Sequence, residues 1–217
     1  MTSSTSSARP YRGMPAEERR AQRRAALLET GLEVLGRHGW AAATVRGVCR
    51  QAGLNDRYFY ESFTDLDALL LAVVDDQAAR GTAVILAAAG SAPPRLRARA
   101  HAVVEAIVDF LSADPRRGRI LAHEFSAHPL LQQRRRHIIQ TLAAIFTAQV
   151  HELLEEVPLS AADLHLTALT VTAGLWDLLT TWFRGDLDTG RDHLVDYVVA
   201  FLLTTTELAP ALQHRLQ

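Results

Sequence analysis

Residues 44–63, "TVRGVCRQAGLNDRYFYESF", interleave groups that can bond a phosphate or a base edge with rings and small apolar residues. Arg57 can grip guanine with two parallel N–H bonds, and Arg46 and Arg50 flank the same surface from the preceding turns. Tyr58 and Tyr60 offer hydroxyls that can bond a phosphate while their rings pack. Spacing divides the four aromatics. Phe59 and Phe63, at i and i+4, share a face that can meet Val48, Cys49 and Ala52. Asp56, Arg57, Tyr58, Tyr60 and Glu61 are left outward, with Tyr60 at the edge between the two faces. Arg57 and Glu61 are also an i,i+4 pair, which by itself describes a solvated face. Asp56 puts an acid where an anion would bind, a cost unless it accepts from cytosine N4 or orients Arg57.

Helices must position these groups, and the chain reads as all-α. A first helix starts near Pro15, with Glu17 and Glu18 at the positive end of its dipole. Its stripe of Leu27, Leu28, Leu32 and Leu35 ends at Gly39, where a left-handed cap and an inward Trp40 are expected. Thr44 can cap a short second helix with Val45, Val48, Cys49 and Ala52 on one face. Gly53 stops it, and Asn55 caps a third. Two short helices joined by a glycine turn behind a longer one form a helix-turn-helix, whose second short helix enters the major groove of double-stranded DNA. A fourth helix starts near Asp65, capped by Thr64 or Asp65. After a break in 87–96, further helices fall near 94–112, 114–127, 129–156, 160–184 and 189–208, about nine in all. The expected division is a disordered tail at 1–14, a helix-turn-helix domain at 15–64 and a larger helical domain at 65–217.

Composition bounds the function. The 217 residues are 48% hydrophobic, enough to bury a core, and carry a formal net charge of −1. The charge is uneven: residues 1–62 hold ten arginines against six acids, and the remainder thirteen against eighteen. A basic front half on a near-neutral chain points to an anionic partner. Cys49 is the only cysteine, which excludes an internal disulfide and a thiolate metal cluster. The N-terminus lacks the apolar region of a secretory signal, and "LVDYVVAFLL" is too short for a membrane span, so a cytoplasmic protein is expected. There is no glycine-rich phosphate loop, nucleophile elbow or Glu-x-x-His pair. No catalytic residue or cofactor is therefore assigned. His123, Glu124 and His128 lack the i,i+4 histidine spacing of a helical zinc site, and no metal is assigned. The arginine runs at 115–119 and 134–136 read as solvated faces.

The segment "TVRGVCRQAGLNDRYFYESFTDLDALL", residues 44–70, closely resembles the DNA-binding signature of the TetR/AcrR-type bacterial transcriptional regulators. The resemblance begins upstream at "LLETGLEVLGRHGWAAATV" and covers about residues 20–72. Thr44 falls at the family's cap threonine, Val48–Cys49 at its Ile-Ala, and Ala52–Gly53–Leu54 at its Ala-Gly-Val turn. Tyr60 and Phe63 fall at its Tyr and Phe. Leu66 departs, standing where the family has a phosphate-touching Lys. The resemblance implies DNA contacts from Thr44, Arg46, Asn55, Arg57, Tyr58 and Tyr60. It also implies a ligand-binding and dimerisation domain in the rest of the chain.

In that larger half, "DLHLTALTVTAGLWDLLTTWF" and "HLVDYVVAFLLTTTELA" are apolar over more than one face, and a partner subunit is the natural cover. A small-molecule effector would lie among the middle helices, with Phe110, His123, Phe125, Phe146, Trp176 and Trp182 as candidate walls; each would also serve as ordinary core. Gly174, inside a helical pattern, marks close packing or room for a ligand. The expected function is a ligand-responsive repressor that binds a palindromic operator as a homodimer. The alternatives are an all-helical enzyme and a ligand-independent DNA-binding structural protein.

Overall fold

The computed structural model describes residues 15–216, and the expected tail at 1–14 lies outside them. Every regular element among the described residues is helical. An N-terminal head consists of α1 (Ala16–His38), α2 (Val45–Ala52) and α3 (Asp56–Tyr60). The larger half follows as α4 (Leu66–Ser91), α5 (Leu96–Ala113), α6 (Pro115–Arg119), α7 (Phe125–Ala127), α8 (Pro129–Leu153), α9 (Ala161–Arg184) and α10 (Arg191–Leu216). A π-helical stretch, Ile120–Glu124, joins α6 to α7 without a break in the rod.

The caps in the head form as their residue types require. The Thr44 hydroxyl accepts from Gly47 N at 3.0 Å, Asn55 Oδ1 from Tyr58 N at 3.2 Å, and Asp65 Oδ1 from Ala68 N at 2.8 Å. Gly53 takes the left-handed conformation, φ 67° and ψ 28°. Gly39 differs from expectation. Its φ of 79° is positive but its ψ is 151°, a region open essentially to glycine alone. The chain therefore leaves α1 extended, and the buried Trp40 begins a 3-10 turn, Trp40–Ala42.

The head's core is a set of interlocking faces. Leu27, Leu32 and Leu35 of α1 meet Val48 and Cys49 of α2, Phe59, Phe63, and Leu69, Leu70 and Val73 of α4. Phe59 is fully buried, and such a side chain contributes about 1.5–3 kcal/mol. The same apolar cluster continues into Ile120, Phe125 and Leu131 of the larger half. The head is thus packed onto the beginning of α4 and the α6–α7 rod rather than hung from a linker.

In the larger half α4 and α5 form an antiparallel pair, α5 also packs on α10, and α8 packs on α9. The α6–α7 rod touches both α1 and α9. α8 ends at Leu153, slightly before its expected end. α10 runs to Leu216, well past the expected 208 and through Pro210. Proline removes the N–H that would bond the Thr206 carbonyl, the reason for expecting a stop. Most of the extension is exposed, so water can serve that carbonyl. At this length α10 is apolar enough to cross a membrane by length and composition, with mean hydropathy 1.3 over 18 residues. The sequence reading, which broke the run at Asp196, did not anticipate that.

Candidate nucleic-acid interface and effector cavity

The outward face of α3 is built by the N-cap of Asn55 and the burial of Phe59. With that ring fixed inward, the residues on either side are forced outward. Tyr60, expected at the edge between two faces, is 60% exposed, while its ring still meets Phe59 edge-on at 5.4 Å. Tyr58 is the more covered of the two: it is half-buried, and the Arg23 guanidinium lies 4.3 Å above its ring. Thr44, Arg46, Arg50, Asn55 and Arg57 are exposed. The expected contact residues are thus exposed except Tyr58, a half-buried ring clamped beneath an arginine.

Two charges on that surface are committed elsewhere. Glu61 Oε1 accepts from Arg57 Nε at 3.2 Å, and Glu61 Oε2 faces Arg23 at 3.4 Å. Arg20 donates to the Glu61 carbonyl at 2.9 Å. Glu61 thus ties the arginine-rich start of α1 to the end of α3, a role the spacing alone did not show. Asp56 lies beside Cys49 rather than orienting Arg57. Burial pushes the Cys49 thiol above its usual range, and the Asp56 carboxylate pushes the same way. Leu66, at the position where a phosphate-touching Lys was expected, packs partly buried against the head's core.

The larger half encloses a cavity of about 310 Å³, within the range of small-molecule sites. Its walls come from α4, α5, α8, α9 and α10 and the α6–α7 rod, and are overwhelmingly apolar. Phe110, Phe125, Phe146 and Trp176 line it, with Phe125 and Trp176 edge-to-face at 4.9 Å. His123 and Trp182 lie outside it. His123 is exposed because it sits on the outer side of the rod whose inner side carries Leu121 and Phe125. Trp182 packs instead on the cluster of Val104, Val108 and Leu194, and its Nε1 donates to the Thr189 carbonyl at 2.9 Å. Gly174 is also outside, exposed and facing open space.

The long polar members of the wall went unnoticed in the sequence: Gln77, Arg99, Arg117 and Gln149, beside the shorter Thr82, Thr172 and Thr206. A signal existed for Arg99, which precedes Val103 and Ile107 at i,i+4,i+8 and so sits on the apolar stripe of α5. The arginine runs are solvated faces only in part: Arg119 and Arg136 are exposed, while the other four arginines bond to neighbouring elements. Arg134 pairs with Asp75 at 2.9 Å and Arg135 with Asp177 at 2.5 Å, tying α8 to α4 and to α9. Arg117 donates to Gln77 Oε1 at 3.0 Å and to the Phe110 carbonyl at 2.8 Å.

A physical link runs from this cavity to the head. Arg117, Ile120, Leu121 and Phe125 of the rod line the cavity, while the adjacent Arg116 reaches out to α1. Arg116 pairs with Glu29 at 2.7 Å, Glu33 at 3.0 Å and Asp114 at 2.7 Å. Gly36 makes this approach possible, since a Cβ there would come within 2.9 Å of the Arg116 Cα. Farther along, Glu124 accepts from Trp40 N at 3.3 Å. The π-helical stretch follows the first anchor and ends on the second, and Arg184 of α9 donates to its Ala122 carbonyl at 2.7 Å. Such stretches are rare in helices and recur at functional sites.

Comparison with known proteins identifies the head and gives the fold of the rest. Residues 27–73 match the family described as bacterial regulatory proteins, tetR family. No match was found among curated proteins. Solved structures similar to the chain include a putative transcriptional regulator from Pseudomonas aeruginosa PAO1, 21% identical, with a TM-score of 0.72 over 91% of this chain and 95% of that one. A putative TetR-family regulator from Syntrophomonas wolfei is 14% identical, with a TM-score of 0.72 over 86% and 95%. The fatty acid degradation regulator FadR from Bacillus halodurans is 17% identical, with a TM-score of 0.70 over 83% and 94%. At these identities the likeness shows the fold. The head, matched by the family model, is a tetR-type helix-turn-helix.

Proposed function

From a chain with a tetR-type reading head and the fold of such regulators, we propose a ligand-responsive transcriptional repressor that works as a homodimer. Residues 15–64 act as the DNA-binding domain and 65–217 as the effector and dimerisation domain. In this reading α3 enters the major groove of a palindromic operator, with Arg57 and Tyr60 toward the bases and phosphates. Arg57 leaves Glu61 for a base edge, an exchange that costs little because an exposed ion pair is worth only about 0–1 kcal/mol. The partner subunit covers the exposed apolar residues of α9 and α10. The protein is a cytoplasmic binder and not an enzyme.

The observation that carries the reading is the α6–α7 rod, which is at once a wall of the cavity and a surface of contact with α1. A ligand that fills the cavity and repositions the rod changes the contacts of Arg116 and Glu124 with the head. Two heads must match half-sites about 34–36 Å apart, so a small rotation of each is enough to spoil the fit. The ligand acts through its differential affinity for the two arrangements.

Selection of bound fragments from genomic DNA tests the proposal. The expected outcome is an inverted repeat with half-sites one helical turn apart, bound with a steep salt dependence. Bound fragments without a shared inverted repeat would refute the dimeric operator.

A further inference from the structure

The cavity has an end that an apolar ligand would leave unsatisfied. Arg99 on α5 is only 7% exposed, yet it lines a space walled by aliphatic and aromatic side chains. Its two side-chain acceptors converge on one nitrogen: Nη1 donates to Glu152 Oε1 at 2.6 Å and to Gln149 Oε1 at 3.2 Å. Its Nε is buried with no hydrogen-bond partner. Native structures rarely leave a buried donor in that state, since the lost solvation is not recovered. The other arginine on the wall, Arg117, differs: its Nε and Nη1 are both bonded, and its guanidinium lies 4.0 Å over the Phe110 ring.

Position adds to this. α4 and α5 are antiparallel, so Arg99 stands near Ile85 and Leu96 at one end of the cavity, while Gln77 and Arg117 stand toward the other. Between Ile85 and Val73 the α4 wall extends about 18 Å at 1.5 Å per residue. Glu152, the present partner of Arg99, is 58% exposed on its side chain, which puts the Arg99 end next to solvent. The hydrogen bond from Arg99 holds the Glu152 carboxyl below its usual range, so this guanidinium already holds a carboxylate.

Building on the effector reading above, we infer that Arg99 receives the head group of the effector and that the effector is an amphipathic monocarboxylate. The Nε edge of a guanidinium, with one terminal nitrogen, matches a carboxylate side-on. The head group takes that edge near the surface, and the apolar body lies along α4 toward Phe110, Phe125 and Trp176. The tail then ends against the α6–α7 rod, the element that touches the head. Tail length, rather than head chemistry, determines how far the rod is displaced.

Titration of the full-length protein with dodecanoate and with dodecan-1-ol, by calorimetry below their micelle and solubility limits, tests the assignment. Dodecanoate is expected to bind at least tenfold tighter than the alcohol. Arg99→Met should abolish that difference while leaving the affinity for the alcohol unchanged. Glu152→Gln, at an exposed position that leaves folding intact, should tighten dodecanoate several-fold and leave the alcohol alone. Equal binding of the two probes, binding of neither, or a preference for carboxylate that neither variant alters would each overturn the inference. Operator release is read separately. Arg99-dependent binding with no effect on DNA would leave the inference standing and sink the effector coupling. Release of DNA by both probes, with affinities that are equal and that Arg99→Met leaves unchanged, would do the reverse.

Discussion

Two tyrosines of nearly equal exposure stand in opposite surroundings. Tyr60 of α3 is 60% exposed among Asn55, Asp56 and Arg57, with exposed Arg46 and Arg50 on the adjacent helix. Tyr197 of α10 is 57% exposed, and the exposed Phe201 and Leu208 continue its side of the helix. The difference lies in the neighbours. A ring among cations and hydrogen-bonding groups suits a polyanion, where its hydroxyl and its edge both find partners. A ring in a row of aliphatic and aromatic side chains on a 26-residue helix suits another apolar face. Exposure alone marks both as surfaces; the chemistry around each is what assigns one to DNA and the other to a second subunit in the function proposed above.

A charge on the apolar face should have the largest effect. Phe201→Glu places a charge in the middle of that row while touching no residue of the head. The variant is expected to become monomeric by analytical ultracentrifugation and to lose operator affinity by roughly 100-fold or more, because two linked heads gain 10²–10⁴ over one. A dimeric Phe201→Glu protein with full operator affinity would remove α10 from the interface.

The polar face should respond the other way, losing DNA while keeping the dimer. Arg57→Ala is expected to weaken operator binding by about 10–100-fold, the 1–3 kcal/mol of a bidentate base contact, and to relax preference at one base pair of each half-site. Tyr60→Ala should weaken specific and non-specific DNA alike and leave thermal stability almost unchanged, because the side chain is mostly exposed. Tyr58→Ala should also lower the melting temperature, since that ring is half-buried beneath Arg23. Electrophoretic mobility shifts beside thermal melts distinguish the three.

The two faces also differ in how well they could be read from the chain. In the head, the local signals agree with the tertiary result except at Gly39, which is extended rather than a left-handed cap. Thr44, Asn55 and Asp65 cap where they stand, Gly53 turns, and Phe59 and Phe63 bury as i,i+4 partners. Those are short-range effects within a few residues. The cavity is a long-range object. Phe110, Phe125, Phe146 and Trp176 reach it from four segments, and nothing local told them from Trp182, whose burial is set by α5 before it and α10 after it. The arginines misled for the same reason. Arg116 finds its acids on α1, more than eighty positions earlier, and Arg134 and Arg135 find theirs on other helices. Tyr60 was ambiguous because a five-residue helix offers too little periodicity to assign a boundary position.

The contact of α6 with α1 belongs to neither face, and disturbing it should affect the coupling of effector to operator more than either surface. Gly36→Ala drives a methyl group against Arg116, whose main chain cannot yield as a flexible side-chain tip would. Overpacking of this kind costs about 1–3 kcal/mol, which should appear in chemical denaturation. Effector affinity should hold, because Gly36 is not in the cavity wall. The drop in operator affinity on effector binding should shrink several-fold, because α6 no longer seats on α1. An unchanged drop would mean that the signal bypasses this contact.

The smallest expected effect tests whether the charges at the same contact help hold it together. Asp114 caps α6 through Arg116 N at 3.0 Å and also takes its guanidinium. The side-chain hydrogen bond from Arg116 holds the Asp114 carboxyl below its ordinary 3.8, against an opposing push from burial. A carboxyl whose folded value lies below its unfolded value stabilises the fold fully above the unfolded value, and that contribution is lost as pH falls through the folded one. The melting temperature of the native protein should therefore drop on acidification below about pH 4. Asp114→Asn should show a shallower drop over that range and a small loss at neutral pH, where the asparagine can still cap but cannot pair. Arg116 would keep Glu29 and Glu33, and this is why the effect is small: three acids share one guanidinium, and removing one leaves the join between α6 and α1 in place. Parallel acid profiles for the two proteins would show instead that Glu29 and Glu33 carry the contact and that Asp114 serves α6 only as its cap.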